Sequence, residues 1–118
     1  YYTLTPCRLV DTRSAAAGPA LSWGTTRAVV AAGSCGIPAG AISLSLNVTI
    51  TVPTADGYAT VFPTFVLVPI ASTVNFRAGQ TRANNAIVPL DPAGRFFVLS
   101  GLPWGSVHLV VDVNGYFL

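Results

Sequence analysis

Residues 41–52, AISLSLNVTITV, decide the fold class. Ile42, Leu44, Leu46, Val48, Ile50 and Val52 take every second position, and Ser43, Ser45, Asn47, Thr49 and Thr51 fill the places between. Side chains alternate between two sides only along an extended chain, whose repeat is two residues. A helix would need apolar residues three and four apart and would mix hydroxyls into its apolar face. The stretch therefore reads as a long strand, one face in a core and one hydroxyl-rich face outward, as in an antiparallel sheet.

The same alternation closes the chain. Val107, Leu109, Val111 and Val113 point one way, and His108, Val110, Asp112 and Asn114 the other. Shorter candidate strands lie at 3–10, 26–31, 58–63, 73–78, 85–90 and 95–99. Turn-forming residues separate them, among them Pro38-Ala39-Gly40, Ala55-Asp56-Gly57 and Asp91-Pro92-Ala93-Gly94. Residues 14–24 are the most loop-like. The expectation is one all-β domain over 1–118, an antiparallel β-sandwich of eight to nine strands, Ig-like or jelly-roll.

Composition narrows the function class. Charged residues make up 8% of the chain, with neither lysine nor glutamate among them, against about 25% in an average soluble domain. The six arginines are dispersed and the net charge is +2. Without a basic stripe, nucleic acid is not an expected partner. No apolar run approaches the roughly 20 residues of a membrane-spanning helix. No signal peptide is visible, so secretion would require a leader already removed or encoded outside these residues.

Cys7 and Cys35 are the only cysteines and His108 the only histidine. Zinc wants four ligands, so no metal or other cofactor is expected. A single disulfide in a Thr/Ser/Asn-rich chain is the favoured reading and points outside the cytosol. Two buried thiols are the alternative.

Residues with catalytic chemistry are few. His108 and Asp112 share a strand face about 13 Å apart, too far for a dyad. No nucleophile elbow, zinc-protease run or phosphate loop occurs. Asp11 and Asp112 with loop carbonyls are a conceivable calcium pair. Asp11 and Arg13 are expected on the face of Cys7 and Leu9, where a half-buried carboxylate needs the guanidinium or backbone amides as partners. Enzymatic activity is not expected. Asn47-Val48-Thr49 is an N-glycosylation sequon on the polar side of the long strand, a candidate glycan site at Asn47.

Residues 61–71, VFPTFVLVPIA, break the alternation. Phe65, Val66, Leu67, Val68 and Ile70 suit either an internal crossover or a subunit interface. Tyr1 and Tyr2 are apolar terminal residues that a monomer would leave frayed, and they join the candidate interface. Trp104, Trp23 and Tyr58 offer flat faces for stacking sugar rings.

Taken together, Pro6-Cys7-Arg8-Leu9-Val10-Asp11-Thr12-Arg13, Cys35-Gly36-Ile37-Pro38-Ala39-Gly40-Ala41, Asn75-Phe76-Arg77-Ala78-Gly79-Gln80-Thr81-Arg82-Ala83-Asn84-Asn85 and Val111-Asp112-Val113-Asn114-Gly115-Tyr116-Phe117 are spread along essentially the whole chain. In these motifs it resembles a repeat module of secreted proteins of actinobacteria and other soil and water bacteria. The resemblance implies a non-catalytic extracellular unit with no active site to carry over. Where such modules have a polar Gly/Pro-rich loop before Ser72, this chain is apolar.

The expected function is a secreted structural protein, a self-associating homo-oligomer or filament subunit of an extracellular assembly. A carbohydrate- or surface-binding module attached to a secreted enzyme is the alternative, with glycans as partners.

Overall fold

The computed structural model describes residues 1–63 and 72–118 and places nine strands and no helix among them. In chain order these are β1 (Tyr2–Asp11), β2 (Leu21–Ser22), β3 (Thr26–Val30), β4 (Ser43–Thr51), β5 (Gly57–Phe62), β6 (Val74–Phe76), β7 (Arg82–Pro89), β8 (Arg95–Gly101) and β9 (Ser106–Phe117). One sheet runs β1-β9-β4-β7, with β2 also paired to β9, and the other runs β3-β8-β5-β6; every pairing is antiparallel.

From β3 onward, successive strands fall in opposite sheets except for the β5–β6 pair. That connectivity is the double Greek key of a jelly roll. Of the two sandwich types expected from sequence, the topology selects this one.

The core forms where the sheets face each other. Leu44, Leu46, Val48 and Ile50 of β4 and Val107, Leu109, Val111 and Val113 of β9 are all 0% exposed. They pack with Val29, Ala59, Val74, Phe76, Phe96 and Val98 from the other strands. Each such side chain contributes about 1.5–3 kcal/mol by leaving water. The alternation seen in the sequence is thus the core-facing row of the two central strands of the first sheet.

It fails at both ends of β4. Ile42 and Val52, expected on the inward face, are exposed. Ile42 precedes the strand, its amide donating to Phe117 O (2.8 Å). Val52 has φ of +50°, a left-handed conformation that β-branched residues rarely adopt, and it turns the chain out of the sheet.

A second correction concerns Asp11. Cys7 pairs with Val113 and Arg8 with Asp112, but Val10 then pairs with Val111, so Leu9 is an extra residue in β1. One extra residue exchanges the faces of everything after it. Asp11 consequently stands outward opposite Val110, with Arg8 and Asp112 rather than with Cys7.

The disulfide is present. Cys7 and Cys35 are bonded, Cα to Cα 5.8 Å, across 28 positions of sequence. It joins an edge strand of the first sheet to the loop that follows β3, an edge strand of the second. Gly94 secures the same side. Its carbonyl accepts the amides of Ala31 (3.0 Å) and Ala32 (3.2 Å). With φ of +75° and Ala32 against its α-carbon, the position admits only glycine without strain.

Candidate functional site

Three places gather the residues that carry chemistry. The first is the corner after β1. Asp11 accepts two bonds from the Arg13 guanidinium, at 2.9 and 2.8 Å, and one from the Arg13 amide at 3.1 Å. Arg8 donates to Asp11 at 3.3 Å and forks onto Asp112 at 3.0 and 3.4 Å. The result is an alternating row, Arg13–Asp11–Arg8–Asp112. A guanidinium lies between the two carboxylates considered for calcium, and no group of three or more potential metal ligands occurs among the described residues.

Thr12, between the two paired residues, is 2% exposed. Its Oγ1 accepts the Leu109 amide at 2.8 Å and lies 3.0 Å from His108 Nδ1. The ring tautomer decides which of the pair donates, Thr12 Oγ1 or His108 Nδ1. His108 thus contacts Thr12, and Asp112 contacts Arg8; the structure does not bring them together as a dyad. The Asp-Thr-Arg motif is a hydrogen-bonded corner, as expected for Asp11 and Arg13, with the threonine as its buried member.

The Arg13 side-chain bonds hold the Asp11 carboxyl well below the usual carboxylate range, against a smaller opposing effect of burial. For Asp91 burial acts to raise the pKa, yet hydrogen bonds from Arg95 and Ala93 and the Arg95 charge lower it on balance. Depressed carboxylates stabilise the fold above their unfolded value of about 3.9 and stop doing so as pH falls through the folded values. The melting temperature is therefore expected to be level from neutral pH to about 5 and to fall below about 4. Calorimetry across that range checks it, and Asp11→Asn should flatten the acid limb.

The second place is one end of the sandwich, where the β2–β3, β4–β5, β6–β7 and β8–β9 loops meet. Backbone bonds tie them together. Trp23 donates to Gly105 O (3.0 Å), Thr54 to Ser106 O (3.0 Å) and Gly79 to Pro53 O (2.7 Å). The Ala78 amide donates to Asp56 Oδ1 (2.8 Å). Trp23 and Trp104 stand out from this base, each 60% exposed. A cleft of about 470 Å³ runs beside Trp104 between Thr54, Ala55, Asp56, Ala78 and Pro103. A second, of about 340 Å³, shares Asp56 and is lined by Asn75, Arg77, Gln80 and Arg82. Tyr58 is placed differently from the two indoles: its ring covers Gly101, the residue opposite it in β8, leaving one face free.

The third place is the far end of the first sheet, at the start of β1 and the end of β9. The Tyr1 ring lies over Gly115 and contacts Phe117, centroids 4.7 Å apart. Tyr2 stacks on Tyr116 at 5.2 Å, so it is an ordered strand residue rather than a frayed one. Ile87 stands across Ser45 from Gly115, and Ile42 adjoins Phe117. Tyr1, Tyr2, Ile42, Ile87 and Leu118 are 51–61% exposed; Tyr1, over Gly115, and Ile87 share the outer face of the sheet, whereas Tyr2 with Tyr116 stands on the Leu44 side. Tyr1 and Tyr2 were marked in the sequence; Ile42 and Ile87 were not, and only the register brings them to the same end of the sheet.

Asn47 sits half-buried on the outer face of β4, between Asp112 and Asn85. Phe65, Val66, Leu67, Val68 and Ile70 lie outside the described residues. Of the apolar stretch that contains them, Phe62 is 1% exposed and stacks with Phe97, centroids 5.8 Å apart, on the side of the second sheet away from the core.

No protein-family model matches the chain, and no curated protein matches it in sequence. Among solved structures, the coat protein of Tobacco streak virus is similar, with a TM-score of 0.50 and 11% identity over 97% of this chain and 86% of that one. A structure of the same coat protein as a dimer gives a TM-score of 0.48 and 12% identity over 97% and 88%. At 11% identity the first likeness shows the fold alone, a two-sheet β-sandwich. No helix among the described residues is long and apolar enough to cross a membrane.

Proposed function

We propose that this chain is a secreted, non-catalytic structural module that associates with copies of itself in an extracellular assembly. The observation that carries this reading is the gathering of exposed apolar side chains, Tyr1 and Ile87 on the outer face with Tyr2, Ile42 and Leu118 nearby, at one end of the first sheet. Exposed apolar side chains concentrated at one end of a sheet are suited to contact with another molecule. With 8% charged residues, the chain carries little of the like-charge repulsion that keeps molecules apart.

The disulfide supports an oxidising environment. The resemblance to secreted bacterial modules supports the same compartment and a non-catalytic role. The engagement of His108 by Thr12, and of Asp11 and Asp112 by arginines, fits a chain whose polar clusters hold the fold.

Sedimentation velocity over a wide concentration range tests the proposal. The weight-average mass is expected to rise with concentration, and Tyr1→Ser combined with Ile87→Ser should return it toward the monomer. A parent protein that stays monomeric throughout would overturn the reading.

A further inference from the structure

We propose that the loop end of the sandwich is a glycan-binding site, with Trp104 and Trp23 stacking sugar rings while Asp56, Asn75, Arg77 and Gln80 bind hydroxyl groups. The proposal goes beyond self-association and is independent of it, because this site lies at the opposite end of the first sheet from the aromatic surface.

The two indoles are the largest apolar side chains in the chain, yet each is 60% exposed. Their backbones are held side by side by the bond from Trp23 to Gly105, the residue next to Trp104. An exposed flat ring fixed on a rigid base loses little freedom on binding, which favours affinity.

The neighbouring clefts supply polar groups with bonding capacity to spare. Asp56 Oδ1 accepts the Ala78 amide, whereas Oδ2 meets no donor among the described residues. Asn75 accepts from Ser72 and Gln80 from Arg82 through their carbonyl oxygens, and both amide nitrogens lack an acceptor there. The Arg77 guanidinium has no partner among the described residues either, and all four side chains line one cleft.

A sugar ring matches this combination. Its C–H face is apolar and packs on an aromatic plane, and its rim carries adjacent hydroxyls that donate and accept together. An alkyl chain would leave the carboxylate and amides unmatched. A nucleic acid would require more positive charge than two arginines beside an aspartate provide.

Titration of the folded protein with chitohexaose, cellohexaose and oligogalacturonate, followed by tryptophan fluorescence and calorimetry, tests the site. Saturable binding of at least one is expected, the acidic oligosaccharide if the arginines dominate and a neutral one if the indoles do. Trp104→Ala should weaken that binding about tenfold or more and Asp56→Asn several-fold, with circular dichroism unchanged. Ile87→Ser should leave it intact. Failure of all three sugars to saturate at millimolar concentration overturns the proposal, as does unchanged affinity in both cleft variants.

Discussion

Cys35→Ser is expected to lower stability by about 3–4 kcal/mol and the melting temperature by about 10–20 °C. The estimate follows from the 28-residue separation of the bonded cysteines. Closing a loop of that length restricts the unfolded chain, and the restriction is lost when the bond is. Position adds to length here. The bond ties an edge strand of one sheet to the loop after an edge strand of the other, so its removal frees the two layers from each other on that side. Cys7→Ser, Cys35→Ser and reduction of the parent should give nearly the same loss, measured by denaturant titration with and without reductant. Retention of parental stability on reduction would show that the layers are held by packing alone.

Leu46→Ala is the second large effect, a loss of about 2–5 kcal/mol. Leu46 is 0% exposed and lies in the middle of β4, a strand bordered by β9 and β7. Removing its side chain forfeits burial energy and leaves a cavity that neighbours on two sheets cannot collapse to fill. Asn47→Ser, one residue along, should change stability by no more than about 0.5 kcal/mol, because that side chain faces outward. The contrast between adjacent positions, read by thermal and urea unfolding, measures the alternation itself. Equal effects at the two sites would mean the register is wrong.

How far the fold was legible depended on whether local pattern or long-range register set each feature. The strand at 41–52 and the closing strand could be read because each has a buried face and a wet face, which forces the period of two. The β7 strand begins at Arg82, three residues before the sequence indicated, because Arg82-Ala83-Asn84 has no large apolar member to mark a buried face and owes its extension to pairing with Ile50, Thr49 and Val48. The two-residue β2 is too short to show any period. The bulge at Leu9 left no mark, since leucine between arginine and valine reads as ordinary strand; its consequence is that Asp11 meets Arg8, whose guanidinium also holds Asp112. The partnership of Asp11 with Arg13 was legible because it needs only neighbours. Trp23 and Trp104 stood out individually. Their placement at one end came from loops 81 positions apart in sequence, which only the order of strands in the sheets brings together.

The pairing of β1 with β9 also places Tyr1 beside Phe117. Polypeptide arriving at the first residue and polypeptide departing from the last therefore run next to each other. A short linker should join them, and new termini opened in an exposed turn should be tolerated as a circular permutant. For the same reason the unit is suited to insertion, as a cassette, into a surface hairpin of a host protein without prising that hairpin apart. Copies fused in tandem by short connectors would hang from a common stalk like pendants, not follow one another in a straight line.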